Sequence, residues 1–231
     1  MSAVLSENLA ALRTGNLFTG LSTRQLEFLA ARMDRQDFRA NDVIFHKGDI
    51  GLALYVIVKG LVKITMQSDT DQEAVLDLLP VGELFGELAL IDGLPRSASA
   101  VAMEDTETLI LGRDDFLEFL QDRPGAAIAI LSVVSRRLRR ANGLIADAMF
   151  RSVPTRIAKK LLELASEFGR KTDCGIAIDL RLRQVDMASM VGAARESVNR
   201  CLMGLEERGL IKMEKQRITI LRPDELRDSV S

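Results

Sequence analysis

The chain has 231 residues, 47% apolar and 28% charged, which suits one large domain or two smaller ones and excludes wholesale disorder and a collagenous repeat. No run approaches roughly 18 consecutive apolar residues, and Met1 to Leu12 carries a glutamate and no basic stretch, so a cytoplasmic protein without a membrane partner is expected. Two cysteines, Cys174 and Cys201, and a single histidine, His46, argue against a disulfide framework, a zinc knuckle, a thiolate-held iron–sulfur cluster or a histidine-rich metal site.

The net charge of −2 conceals an asymmetry. Residues 1–149 hold 15 Lys+Arg against 21 Asp+Glu, whereas residues 150–231 hold 16 against 12, so the first part carries −6 and the second +4. A basic C-terminal part that meets a polyanion and an acidic part with another task fit this division.

In chain order, Asn8 to Leu12 reads as a short helix, followed by a turn around Gly15 and a second helix that opens at Ser22, with Leu26, Leu29 and Met33 on one face. From Asp37 to Leu111 the texture changes to short apolar bursts (Val43 to Phe45, Leu54 to Val58, Leu61 to Ile64, Ala74 to Leu78, Thr108 to Leu111) separated by glycine or charged turns. That spacing indicates a β-sandwich or jelly roll and not a βαβ fold. A short helix around Asp114 to Leu117 leads into a breaker-poor stretch from Gly125 to Phe150, interrupted only by Gly143. Along it Ala127, Leu131, Val134, Leu138, Ala141, Ile145 and Ala148 recur at alternating steps of four and three, a heptad seam that argues for a paired helix and a homodimer. A single amphipathic helix lying on its own β domain would show nearly the same stripe over this length. Pro154 marks a boundary, after which a helix runs from Thr155 to about Phe168, closed by Gly169 and followed by a polar loop from Arg170 to Gly175. The remainder reads as helix (Arg183 to Val191), tight turn (Gly192 to Ala194), helix (Arg195 to Gly209) and two short strands (Leu210 to Met213, Arg217 to Leu221), a helix-turn-helix with a β-wing. The predicted fold is therefore α+β, with domains at 1–122, 123–150 and 151–231.

Two clusters carry chemistry. In the first, Gly82-Glu83-Leu84-Phe85-Gly86-Glu87-Leu88-Ala89-Leu90 is followed by Pro95-Arg96-Ser97-Ala98. The glycines allow close backbone approach and Glu87 can accept from ribose hydroxyls. The Arg96 guanidinium forks onto a phosphate, and the Ser97 hydroxyl with the backbone N–H groups of Glu87, Leu88 and Ala89 would complete an anion cradle. A sugar-phosphate ligand fits this set. In the second, Arg195, Glu196 and Arg200 fan over one arc at the start of a helix, and arginine and glutamate are the side chains that read guanine and cytosine edges.

Phe85-Gly86-Glu87-Leu88 with Arg96-Ser97-Ala98 resembles the phosphate-binding cassette of cyclic-nucleotide-binding domains. Gly192 to Arg200 resembles the recognition helix of the CRP/FNR transcription regulators, cyclic-AMP receptor branch. The resemblance runs from about Leu17 to Leu221 and implies an N-terminal cyclic-nucleotide-binding β jelly roll, a long dimerisation helix and a C-terminal winged helix-turn-helix. Carried over position by position, Gly86 and Glu87 meet the ribose and Arg96 and Ser97 hold the cyclic phosphate. Ala141 and Asn142 stand at the polar pair, usually begun by threonine, that touches the base. Asn142 can bond an adenine edge and Ala141 cannot, which leaves cGMP possible beside cAMP, although Ser97 leans towards adenine. Arg137, one turn earlier, either joins Glu87 or is a solvated helix face. Arg195, Glu196, Ser197, Asn199 and Arg200 match the segment that reads TGTGA-like half-sites on double-stranded DNA. The alternative for Glu196 and Arg200 is an i,i+4 surface pair. Gln184 and Ala194 replace an arginine and a hydroxyl that commonly hold phosphates, so Arg183, Lys212 or Lys215 would have to compensate.

The resemblance implies an allosteric, non-enzymatic homodimer that reads an inverted repeat and works with RNA polymerase. The rival readings are a ligand-independent regulator, a regulator responsive to cGMP or another effector such as c-di-GMP or heme, and a cyclic-nucleotide regulatory subunit of an enzyme.

Overall fold

The computed structural model describes residues 3–14, 21–69, 72–121 and 123–230, so the turn expected at Gly15 lies outside the described residues. It divides into two compact units, Met1–Met66 with Val75–Arg140, and Gln67–Ala74 with Ala141–Ser231.

The first unit opens with α1 (Ala3–Thr14) and α2 (Thr23–Ala30). The Ser22 N–H donates to Gln25 Oε1 at 2.7 Å, so the start of α2 is fixed by a side chain three residues on. Two antiparallel four-stranded sheets follow, in the orders β1-β8-β3-β6 and β2-β7-β4-β5. Their strands are β1 (Asp34–Phe38), β2 (Val43–Phe45), β3 (Ala53–Lys59), β4 (Val62–Gln67), β5 (Glu73–Leu79), β6 (Leu84–Phe85), β7 (Ser99–Ala102) and β8 (Thr106–Gly112). Between the sheets Ile57, Val62, Leu79, Phe85 and Ala100 form a small core. This is the expected antiparallel jelly roll. A short helix, α3 (Glu87–Asp92), interrupts the strands between β6 and β7.

A larger core lies under the helices, where Leu9, Leu12, Leu26 and Leu29 meet Leu54, Val56, Leu109 and Leu111 of the sheet and Phe116 and Phe119 of α4 (Arg113–Gln121). Asn8, buried, donates from Nδ2 to Ala30 O at 3.1 Å and to Met33 O at 3.0 Å, tying α1 to the end of α2. The long helix α5 (Pro124–Phe150) spans 27 residues. Its Ala126, Ile130 and Val133 are buried, and Ala126 and Ile130 belong to this core. The heptad positions Leu131, Leu138 and Ile145 are instead 63%, 61% and 59% exposed. One face of α5 thus packs on its own β domain, while Leu131, Leu138 and Ile145 lie on the exposed face.

In the second unit α6 (Val153–Phe168) begins two residues before the expected Thr155, with Ser152 as its N-cap accepting from the Thr155 N–H and Pro154 in its first turn, where proline is tolerated. The stretch expected to be a polar loop, Arg170 to Gly175, is mostly a β-hairpin. Gly169 has φ −85 and does not close the helix in the left-handed region, but begins β9 (Gly169–Thr172), which pairs with β10 (Gly175–Ile178). Then come α7 (Gln184–Val191), the turn, α8 (Arg195–Glu207) and the wing strands β11 (Ile211–Glu214) and β12 (Arg217–Ile220). The sheet order is β11-β12-β10-β9. A last helix, α9 (Pro223–Asp228), was not expected from the sequence. Ile157, Leu161, Ile178, Met187, Val198, Leu202, Ile220 and Leu226 make the core of this unit, each at most 2% exposed.

Candidate effector site and nucleic-acid interface

The turn from β6 into α3 builds the first cluster. Gly86 has φ +84, a left-handed conformation that brings its carbonyl against the Arg96 guanidinium. A Cβ at Gly86 would stand 2.7 Å from Arg96 Nη1, and one at Gly51 would stand 2.3 Å from Ala89 Cβ. Both glycines are therefore required by close approach. Arg96 is buried and donates from Nη1 to Gly86 O at 2.5 Å and from Nη2 to Ala53 O at 2.6 Å. Its guanidinium lies 4.2 Å from the centre of the Phe45 ring, in an aromatic group where Tyr55 stacks on Phe85 at 5.1 Å. Burial lowers the Arg96 pKa from its ordinary value, against the raising influence of Tyr55, Glu87 and Asp49.

Glu87 is 1% exposed, and its Oε1 accepts from Arg137 Nη1 at 2.5 Å. Arg137 also donates from Nη2 to Leu84 O, which joins α5 to the β6 turn. Two buried polar atoms here have no partner: Glu87 Oε2, an acceptor, and Arg96 Nε, a donor. Buried polar groups rarely go unmatched. The Arg96 guanidinium suits a phosphate oxygen, and the free carboxylate oxygen of Glu87 matches a hydroxyl donor. The residues thus fit a sugar phosphate. Ala89 is buried, Leu88 is 39% exposed and Ser97 is exposed at the cluster's rim, while Ala141 and Asn142 are exposed on α5. Sequence reasoning missed Ala53, Gly51 and the aromatic wall of Phe45 and Tyr55. A backbone carbonyl and ordinary core aromatics carry no local sign of such a role.

The second cluster lies on α8. At about 100° per residue, Arg195, Asn199, Met203, Glu196 and Arg200 fall at about 0°, 40°, 80°, 100° and 140°, whereas buried Val198, Leu205 and Leu202 fall between about 280° and 340°. Arg195, Glu196, Arg200 and Met203 are exposed and Asn199 is half-buried, so one open arc presents two cations, an anion and an amide. Ser197, at about 200°, lies beyond that arc. The helix-turn-helix angle is held from α6, where Arg156 Nη1 donates to Val191 O at 2.5 Å and to Gly192 O at 3.3 Å. Gly192, φ +60, caps α7.

The flanking donors are engaged. Arg183 forks onto Asp186, Nε to Oδ2 and Nη2 to Oδ1 both at 2.9 Å, which raises its pKa through that hydrogen bond and charge. Its backbone N–H also donates to Asp186 Oδ2 at 3.1 Å, closing the first turn of α7. Lys212 Nζ lies 2.6 Å from Glu214 on the wing, whose tip, Lys215 and Gln216, adopts positive φ of 45 and 70. Gln184 Nε2 donates to Asn199 Oδ1 at 2.7 Å. The spacing of Asp186 three residues after Arg183 is a capping signal that the sequence reading passed over, and nothing local announces the Gln184–Asn199 or Arg156 contacts.

The cyclic nucleotide-binding domain profile matches residues 35–123 and the Crp-like helix-turn-helix domain profile matches residues 155–229. The CRP-like cAMP-activated global transcriptional regulator of Mycobacterium tuberculosis strain H37Rv is 34% identical over 209 residues, which is 90% of this chain and 93% of the relative. The chain belongs to the CRP/FNR family of transcription regulators. The cyclic AMP receptor protein of Thermus thermophilus is 35% identical over 197 residues, covering 85% of this CRP/FNR chain and 88% of the relative. Among solved structures, the c-di-GMP responsive global regulator CLP of Xanthomonas campestris superposes with a TM-score of 0.77 at 25% identity, over 86% of this chain and 99% of that one. This CRP/FNR protein is accordingly a DNA-binding transcription regulator with a cyclic nucleotide-binding domain. Among the described residues no helix is long and apolar enough to cross a membrane, and no group of His, Cys, Asp and Glu is arranged to hold a metal.

Proposed function

We propose that the chain is a cytoplasmic, non-enzymatic homodimer whose β-roll binds cAMP and whose α8 reads an inverted repeat of TGTGA-like half-sites. The observation that carries the effector assignment is the pair of unmatched buried atoms, Glu87 Oε2, an acceptor, and Arg96 Nε, a donor, in one cluster. Gly86, Glu87, Leu88 and Ala89 line the sugar, Arg96 and Ser97 hold the cyclic phosphate, Arg137 fixes the Glu87 carboxylate, and Asn142, beside Ala141, supplies the amide that meets the purine. The names of the Mycobacterium and Thermus relatives support cAMP.

Dimerisation runs through α5. Leu131, Leu138 and Ile145 at 63%, 61% and 59% exposure form an apolar seam seven residues apart, which a second copy of the same helix would cover. The working segments are 1–122 for the effector domain, 123–150 for the dimer helix and 151–231 for the DNA-binding domain. When bound, the nucleotide supplies charge and hydroxyl donors that bias one arrangement of the paired helices over another. The junction at Ser152 to Pro154 passes that bias to Arg195, Glu196, Ser197, Asn199 and Arg200, with Gln184 and Arg183 beside them. Two such helices about 34 Å apart match one turn of duplex. Bound at a promoter, the dimer engages RNA polymerase.

A second reading, a c-di-GMP or cGMP effector, is favoured by two observations: Ala141 offers the base no polar group, and the Xanthomonas neighbour is described as c-di-GMP responsive. Isothermal titration of the full chain with cAMP, cGMP and c-di-GMP tests both. The proposal expects cAMP to bind most tightly, with Arg96→Ala weakening it at least tenfold. Preference for either guanine nucleotide establishes the second reading, and heat from none of them removes the effector assignment.

A further inference from the structure

Gln184 stands at the N-terminal turn of α7 beside the DNA-reading arc, where a phosphate donor is expected of it. Its amide is committed elsewhere: Nε2 donates across the helix-turn-helix to Asn199 Oδ1 at 2.7 Å. An Asn amide has one acceptor end and one donor end, and the end that Gln184 engages decides which is left to face outward. With Oδ1 held by Gln184, the two Nδ2 hydrogens are the free groups. Asn199 lies at about 40° on α8, between Arg195 at about 0° and Glu196 at about 100°, inside the arc and not at its edge.

We infer that Gln184 is a positioning residue that locks the Asn199 amide donor-outward, so that Asn199 reads a hydrogen-bond acceptor on a base edge, and that Gln184 itself does not hold a phosphate. The inference rests on α8 being the DNA-reading helix and adds the chemistry of one position within it. In the major groove the acceptors are purine N7, guanine O6 and thymine O4, while cytosine N4 is a donor. Asn199 thus discriminates against a cytosine edge at the base it meets. Glu196, an acceptor on the same arc, selects for one. The two residues together impose opposite requirements on neighbouring base pairs.

The test is a binding selection on a randomised half-site library, followed by anisotropy titrations of the full-length protein against single-position variants, with and without cAMP. For the wild type we expect one base pair per half-site at which cytosine on the contacted strand is disfavoured by about fivefold to 150-fold. Asn199→Ala flattens the preference at that base pair alone. Gln184→Glu preserves size but replaces the donor with an acceptor, so the Asn199 amide turns its Nδ2 inward and its Oδ1 outward. The preference at the same base pair then shifts from acceptor edges towards cytosine N4. Gln184→Ala relaxes that position and leaves the salt dependence of binding unchanged.

A phosphate role for Gln184 gives the opposite pattern: Gln184→Ala weakens binding uniformly across sequences and leaves every base preference as in the wild type. That result overturns the inference, as does an unaltered preference in Asn199→Ala. Far-UV circular dichroism confirms that each variant is folded before it is scored. A wild-type protein that enriches no sequence under either condition removes the DNA-reading assignment itself, and the inference with it. A wild type that enriches a site which Asn199→Ala leaves unchanged removes only the inference.

Discussion

Replacing Arg137 by alanine would strand a buried carboxylate. Glu87 has 1% of its side chain exposed, its Oε1 relies on Arg137 Nη1 at 2.5 Å, and its Oε2 has no other partner. Breaking a buried pair by removing one member costs about 3–5 kcal/mol. Arg137 is itself 24% exposed, and water entering beside the truncated side chain recovers part of that, so about 2–3 kcal/mol is expected. This corresponds to a fall of about 5–10 °C in the melting of the β-roll unit. The bond from Arg137 to Leu84 O is lost as well, and a double-mutant cycle separates the two contributions. In a Glu87→Gln background the carboxylate charge is gone and the Leu84 bond remains, so Arg137→Ala should there cost about 1–2 kcal/mol less. Thermal and urea unfolding followed by circular dichroism measure all four proteins. Equal costs of Arg137→Ala in both backgrounds, or wild-type melting of the single variant, would refute the argument that this ion pair holds α5 to the effector cluster.

Gly86→Ala forces a left-handed φ of +84 on a residue with a Cβ, at about 1–2 kcal/mol, and pushes Arg96 Nη1 from 2.7 Å. Melting by scanning calorimetry should fall, and nucleotide titration should show at least tenfold weaker binding. Leu138→Glu places a charge in the exposed α5 seam, and sedimentation should show a monomer that binds paired half-sites no better than single ones. An unchanged dimer would locate the interface elsewhere. Arg200→Ala should relax base preference at one position per half-site by about fivefold to 150-fold in competition gel shifts, whereas a uniform loss would mark Arg200 as a phosphate contact.

The parts of the fold most legible in the sequence were those whose apolar period and punctuation agreed. The α5 stripe and the Gly192 turn followed by Arg195 are examples, since a helix of 27 residues and a left-handed cap leave long or distinctive traces. Elements whose residues face solvent left none. β1 is Asp-Arg-Gln-Asp-Phe, with its first four residues exposed, and it exists because β8 offers it a backbone partner. β9 is exposed throughout and reads as loop until its register with β10 is seen. α9 carries a usable sign in Pro223 followed by Asp224 and Glu225, residue types suited to a first helical turn. In the effector cluster the residue types were legible but not their present partners. Arg96 spends its guanidinium on the Gly86 and Ala53 carbonyls, and no local pattern encodes a carbonyl 43 residues away. The same holds for Arg183, whose residue type is legible in the sequence and whose fork onto Asp186 is not.

A nucleotide seated by Arg96 and Glu87 is expected to govern how α8 engages DNA. The decisive assay is equilibrium titration of the full-length protein onto a fluorescent duplex carrying two TGTGA half-sites in inverted repeat, at fixed salt and with or without saturating cAMP. The wild type should bind at least tenfold more tightly with cAMP, and Arg96→Ala should keep the ligand-free affinity under both conditions. Equal wild-type affinity with and without cAMP, or a full cAMP response in Arg96→Ala, would contradict it.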